Sequence, residues 1–155
     1  EPAARARMLR LDLSLSRDAP PLIVADPDVL RRDVIANLLG SALEHSPPGG
    51  TVGVHFRGDG DRLVLEISDE GPGLPEDEIE SVFGRYYEAR TANSRNSTLG
   101  LAIARGGIEN HGGRIDVQSR VGRGTRFRVT LPTRSVSSAF VEAEPVRASR
   151  PAIAS

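Results

Sequence analysis

Asp69-Glu70-Gly71-Pro72-Gly73-Leu74-Pro75 follows directly on the apolar run Leu63 to Ser68, and the reading of these residues decides the fold. The run before it reads as a strand, so the seven residues form a strand-end loop rich in turn formers. Two glycines around a proline let backbone approach a ligand more closely than residues bearing side chains would allow. A carboxylate at the strand end can accept a hydrogen bond from an exocyclic amine such as that of adenine. The same residues equally suit an ordinary strand-to-helix turn with Asp69 as its cap, and alone they do not choose between the two.

Working outward, Val52, Val54 and Phe56 alternate with Gly53 and His55, and Gly58-Asp59-Gly60 turns the chain into Leu63 to Ser68, which predicts a hairpin. Upstream, Leu9 to Ser16 alternate strictly and predict a half-buried strand, and Leu22 to Ala25 reads as a second short strand. Asp26-Pro27 then starts a helix, with a capping carboxylate and proline at the first helical position. This helix runs to about His45, where Pro47-Pro48-Gly49-Gly50 stops it. Leu30, Val34, Ile35, Leu38, Leu39 and Ala42 form its apolar stripe, while Asp33, Asn37, Ser41 and Glu44 fall on a polar one. Downstream, Glu76 to Gly84 predicts a short helix carrying Ile79, Val82 and Phe83 on one side. Residues 85 to 98 show no periodicity and read as a mobile loop. A third helix covers roughly Leu99 to Asn110, and a last hairpin pairs Arg114 to Ser119 with Thr125 to Leu131.

Composition narrows the chemistry. The 155 residues carry 20 basic and 21 acidic groups, and every basic one is arginine. Without lysine there is no Walker-A phosphate loop, no protein-kinase strand lysine and no Schiff-base nucleophile. Without cysteine there is no thiol catalysis, disulfide framework or cysteine-ligated zinc. Phosphate chemistry here must therefore rest on backbone amides, arginines and a metal. A net charge of −1 speaks against nucleic acid held by bulk electrostatics. No apolar run approaches a membrane span, so no membrane contact is expected of the domain itself.

Three separated features then matter together. Asn37 on the polar stripe offers a hard amide oxygen suited to Mg²⁺, though for the stripe alone a solvated helix face is the simpler reading. Asp69 to Gly73 is the second feature. The third is Thr98-Leu99-Gly100-Leu101, which opens a helix whose free amides and dipole would favour phosphate, or which Thr98 simply caps.

In this order and spacing the chain resembles the catalytic and ATP-binding domain of bacterial two-component sensor histidine kinases, over about residues 9 to 132. The N box is matched by Asn37-Leu38-Leu39-Gly40-Ser41-Ala42-Leu43-Glu44-His45-Ser46, and the first G box by Asp69 to Pro75 without departure. The F box is similar to Val82-Phe83-Gly84-Arg85-Tyr86-Tyr87, and the second G box to Leu99-Gly100-Leu101-Ala102-Ile103-Ala104-Arg105. His111-Gly112-Gly113-Arg114-Ile115, Gly124-Thr125-Arg126-Phe127 and Leu131-Pro132 close the pattern.

The resemblance implies an α/β two-layer sandwich: a mixed, mostly antiparallel five-stranded sheet with about three helices on one face, the Bergerat ATP-binding fold. It implies that Asp69 holds the adenine amino group, with Gly71, Gly73 and Thr125 around the nucleotide. Asn37 and Ser41 would hold Mg²⁺, and Thr98, Leu99, Gly100 and Leu101 would meet the phosphates of ATP. Arg85 lies where the family often places an arginine near the terminal phosphate, so Asn37 and Arg85 carry the catalytic expectation. The implied partners are a dimerisation and phosphoacceptor domain and a response regulator, in a cytoplasmic setting.

Departures concentrate at the phosphate end. Ser41 stands where the family has its second asparagine, Glu44 where a basic residue is common, and Asn96-Ser97-Thr98 where glycines usually begin the second G box. Glu44 facing the pocket would repel a triphosphate. An alternative is therefore a degenerate docking module with weak or no nucleotide binding. Leu99 to Ile103 and the Phe83 segment favour the histidine-kinase branch over anti-sigma serine kinases or gyrase-type ATPases. None of the three histidines resembles a phosphoacceptor, which is expected in another domain. Residues 1–8 read as a linker remnant, 9–134 as the ATP-binding domain and 135–155 as a tail.

Overall fold

Strand alternation sends every second side chain to one face of a sheet, and a helical stripe can seal only one such face. The computed structural model, which describes residues 8–18, 23, 25–84 and 98–133, shows this arrangement. Five strands, β1 (Arg10–Leu15), β2 (Thr51–Asp59), β3 (Arg62–Asp69), β4 (Arg114–Arg120) and β5 (Gly124–Pro132), lie in the order β1-β2-β3-β5-β4. β1 runs parallel to β2 and every other pairing is antiparallel. A π-helical stretch, Val29–Ile35, and helices α1 (Ala36–His45), α2 (Glu76–Ile79) and α3 (Thr98–Asn110) complete the element order. The fold is the mixed α/β sandwich that the resemblance implies.

Register explains where the core sits. Val54, Ile67, Phe127 and Val117 pair across β2, β3, β5 and β4, so one row of apolar side chains crosses the sheet. Val34, Leu38 and Ala42 from the first helical stretch and Leu101, Ala104 and Ile108 from α3 cover that row, all of them buried. Phe83 packs edge-on against Phe127 with ring centroids 6.2 Å apart. The Arg105 guanidinium lies 5.6 Å from the Phe83 ring centre, a cation–π contact.

Asp26 starts the first helical stretch as its sequence suggests, accepting at Oδ1 from the N–H groups of Asp28 (2.9 Å) and Val29 (3.3 Å). Val29–Ile35 is then wound as a π-helix before α1 continues it, and the Ala36 N–H reaches back five residues to the Arg31 carbonyl. His111, at the stop of α3, ties the two helices together. Its Nδ1 donates to Gly107 O (2.7 Å), and its Nε2 accepts from the Asp26 N–H (2.9 Å).

Three expectations shift. Ile23 packs on the core and neither it nor Ala25 is in a strand, while Leu22 and Val24 lie outside the described residues. The predicted helix over 76–84 is only one turn, Glu76–Ile79, followed by turns through Phe83. β1 is not half-buried: Leu11, Leu13 and Leu15 are 42%, 72% and 72% exposed. Their partners Val52, Val54 and Phe56 do belong to the core face. The leucines thus extend that face to the edge of the sheet, past the helices that cover its centre. Residues 1–7, 85–97 and the expected tail at 135–155 lie outside the described residues, and Thr98, expected to end the loop over 85–98, belongs to α3. Among the described residues no helix is long and apolar enough to cross a membrane.

The contrast in burial sets an expectation for stability. Leu13→Ser and Leu15→Ser should each change the unfolding free energy by less than about 0.5 kcal/mol. Ile67→Ala, at a fully buried site, should lower it by about 2–5 kcal/mol. Urea denaturation of the three variants checks both.

Candidate functional site

β3 ends at Asp69, whose position in the alternation turns its side chain to the helical face, where only 8% of the residue is exposed. Its Oδ1 accepts from the Gly71 N–H at 2.8 Å. Burial is the main influence on this carboxyl and raises its pKa above the ordinary 3.8. The Gly71 N–H, the nearby His45 and the Thr125 N–H pull in the opposite direction and only partly offset it.

The loop glycines have separate reasons. A Cβ on Gly71 would stand 2.7 Å from His45 O and 2.8 Å from Asp69 Oδ1, so a side chain there would push against the carboxylate itself. Gly73 has φ +70°, and its Cβ would fall 2.0 Å from Arg120 O. The end of β4 therefore demands glycine at 73 whether or not a ligand is present.

Thr125 lies opposite Asp69 in the β3–β5 register. Its Oγ1 is 2.8 Å from Ser119 Oγ, which donates its own proton to Gly124 O at 3.0 Å and also accepts from the Leu74 N–H. The Ser119 proton is thereby committed, so Thr125 is the donor of that pair and keeps its lone pairs as acceptors.

At the other end of the site, Asn37 Nδ2 donates to Asp33 O at 2.7 Å, in the π-helical turn just before α1. With the NH₂ tied back, Oδ1 must face the other way. It does: a Cβ on Gly100 would stand 2.7 Å from Asn37 Oδ1. The amide oxygen and the start of α3 are thus neighbours, and glycine at 100 is what lets them approach. Leu99 is exposed, whereas the Leu101 side chain is buried in the core, so Leu101 can offer a ligand only its backbone. Thr98 opens α3.

Ser41 lies one turn beyond Asn37 on the same face of α1 and is nearly buried, at 8% exposed. Its carbonyl accepts from His45 Nδ1 at 2.7 Å, which steers that imidazole toward Asp69. Glu44 is half-buried and engaged in interactions of its own. Arg85 lies outside the described residues. The fold therefore brings Asp69, Gly71 and Thr125 together at one end and Asn37 and Gly100 at the other. Sequence reading assigns no site role to His45 or Ser119. His45 is four residues from Ser41 and one helical turn away; nothing local marks Ser119, whose role depends on strand register.

Residues 25–135 match the family of histidine kinase-, DNA gyrase B- and HSP90-like ATPases, and the chain belongs to that family. Within it, the chain is 41% identical over 142 residues to the signal transduction histidine-protein kinase/phosphatase MprB of Mycolicibacterium paratuberculosis, covering 87% of this chain and 27% of that protein. A solved structure of the mycobacterial sensor histidine kinase MprB matches with a TM-score of 0.76 and 32% identity, over 86% of this chain and 90% of that one. Full-length ShkA in complex with AMPPNP matches with a TM-score of 0.73 and 26% identity, over 85% of this chain and 27% of that one. The fold is that of the ATP-binding catalytic domain of sensor histidine kinases in two-component signalling. The chain spans 16% to 27% of the length of several curated relatives that it matches.

Burial of Asp69 has a measurable sign. Its raised native pKa means that the ionised carboxylate is disfavoured in the fold, a penalty absent below pH 3.8 and growing as pH rises through the native value. Asp69→Asn should therefore raise the Tm of the nucleotide-free domain at pH 7, and the gain should shrink as pH falls toward the unfolded value. Calorimetry across that range decides it, and a lower Tm at pH 7 would show that the carboxylate's hydrogen bonds outweigh its desolvation.

Proposed function

We propose that residues 9–134 bind Mg·ATP between Asp69 and the start of α3, and present the γ-phosphate to a histidine on a separate helical phosphoacceptor domain. The observation that carries this reading is the convergence of a buried carboxylate with two backbone N–H groups at one end and Asn37 Oδ1 against Gly100 at the other. Asp69 accepts the adenine amine, and the Thr125 hydroxyl oxygen is a second acceptor beside it. At α3, amides of Leu99, Gly100 and Leu101 at the head of a 13-residue helix favour phosphate oxygens. Arg85 serves as the cation near the terminal phosphate. Positioning and charge neutralisation supply most of the rate in such a transfer.

The donor set fits Mg²⁺ held mainly by substrate and water. Asn37 Oδ1 is a hard oxygen with its NH₂ already committed, and Ser41 one turn away adds a hydroxyl. Among the described residues no cluster of three or more His, Asp or Glu could cage a metal. When bound, Mg²⁺ would neutralise phosphate charge and fix its orientation. The intact aspartate end supports this reading over a docking module without nucleotide. The use of ATP also supports a cytoplasmic setting.

The phosphoacceptor domain needs a surface beside the phosphates. Leu99 (54% exposed) and Ile103 (40% exposed) are four residues apart on the outer face of α3 and form an apolar step there. We assign it to docking of that helical domain. The response regulator would then take the phosphoryl group from the phosphohistidine.

Isothermal titration with a non-hydrolysable ATP analogue tests the nucleotide reading. Binding below millimolar concentration that strengthens with Mg²⁺ is expected, and no binding at millimolar analogue would overturn it. Ser41→Asn should increase the Mg²⁺-dependent part of the affinity by several-fold if the short serine is what weakens it. An unchanged magnesium effect, with Tm preserved, would remove Ser41 as the cause. Ile103→Ser should leave analogue affinity within two-fold while slowing phosphotransfer to an added phosphoacceptor domain about ten-fold.

A further inference from the structure

The face of the sheet turned away from the helices carries most of the charged strand residues, and several of its arginines are paired with carboxylates. Arg128 pairs with Glu66 (3.2 Å), Arg114 with Asp116 (2.7 Å), and Arg57 lies 4.0 Å from Asp59. Arg120, Arg123 and Arg126 differ. They are exposed, and none of them has an ion pair among the described residues. The nearest acidic neighbours on this face, Glu66 and Asp116, are already held by Arg128 and Arg114.

The three arginines also share a place. Arg126 pairs in register with Gln118 on one side and Ser68 on the other, so all three side chains stand on the open face. Arg120 is the diagonal neighbour of Arg126, about 7–8 Å away. Arg123 sits in the β4–β5 turn, its N–H bonded to Arg120 O at 2.9 Å. Together with Ser68 and Gln118 they line a hollow of about 440 Å³. Asp69, Ser119, Gly124 and Thr125 complete its lining, and because alternation turns the Asp69, Ser119 and Thr125 side chains to the other face, they meet the hollow with strand backbone.

We propose that this hollow is a second site, which binds a small ligand bearing a phosphoryl or diphosphoryl group. Its volume suits a small molecule. The lining groups named above are polar, with no aromatic ring to hold an apolar body. Three guanidinium groups around one hollow offer more N–H pairs than one planar carboxylate can accept, whereas tetrahedral phosphoryl oxygens can meet several of them at once. The Ser68 hydroxyl and the Gln118 amide add neutral donors on the same rim. Binding also relieves the mutual repulsion of three neighbouring cations. The site lies back to back with the Asp69 loop: Gly122 N–H donates to Pro72 O at 2.8 Å, joining the arginine turn to that loop. The proposal stands on its own geometry and does not depend on nucleotide binding at Asp69.

Inorganic pyrophosphate is the probe, added to the isotope-labelled 155-residue chain at constant ionic strength and followed by NMR. Saturable shifts of the Arg120, Arg123 and Arg126 Nε–H signals and the Ser68 and Gln118 amides are expected, with a Kd of about 1 mM or tighter. Citrate should bind at least ten-fold more weakly. Arg120→Gln/Arg123→Gln/Arg126→Gln should weaken pyrophosphate at least ten-fold, and Arg126→Gln alone by a smaller factor. Asn37→Ala, at the far end of the nucleotide site and outside the lining of the hollow, should leave the pyrophosphate affinity read at the arginine signals unchanged, separating failure of this proposal from failure of the nucleotide reading. Shifts that do not saturate or are matched by sodium chloride overturn it. So do shifts confined to Asn37 and Gly100, or an affinity that Arg126→Gln and the triple variant both preserve.

Discussion

A carboxylate taken out of water at the end of a core strand is the constraint around which the site is built. Asp69 occupies a position that alternation assigns to the core, where an apolar side chain would stabilise the sheet directly. Holding an ionisable group there needs donors arranged around it, and the surrounding backbone supplies them. Gly71 turns back on the strand end, Thr125 faces it across the β3–β5 register, and His45 stands at the end of α1. Each comes from a different part of the chain, so the site exists only once the sheet and its helices have assembled. The fold and the site are in this sense one structure.

The π-helical turn performs the matching task at the far end. A regular helix uses each carbonyl for the amide four residues on, whereas the wider winding of Val29–Ile35 shifts backbone pairing by one residue. Asp33 O, within this stretch, accepts the Asn37 Nδ2, which fixes which end of that side chain faces the start of α3. Asn37 is thus oriented before any ligand arrives, and pre-orientation limits the ordering that binding must impose.

Local pattern carried much of this in the sequence. The helix start at Asp26-Pro27, both hairpins and the α3 stop at His111 follow from capping, alternation and turn chemistry, all of which act within a few residues. Asp69 and Gly71 were legible as a strand-end loop, and their partnership with Asn37 and Gly100 came from resemblance to a family. What alternation could not convey is which strand lies at the edge. Leu11, Leu13 and Leu15 have the pattern of a buried face, but burial depends on what lies above them, and the helices pack against β3 and β4, leaving β1 at the far edge. The π-helical winding was equally illegible, because an apolar stripe at 3.6-residue spacing fits both windings over seven residues.

Gly73 has a consequence beyond its own loop. Because Arg120 O occupies the space where its side chain would be, the Asp69 loop and the last turn of β4 are in effect cast against each other with no tolerance between them. A length change or backbone shift in the β4–β5 turn would be transmitted to the loop that holds Gly71 in front of Asp69. Mutations that retune the site can therefore arise in a surface hairpin that never meets the ligand. The same contact limits how far that hairpin can diverge while the loop keeps its shape.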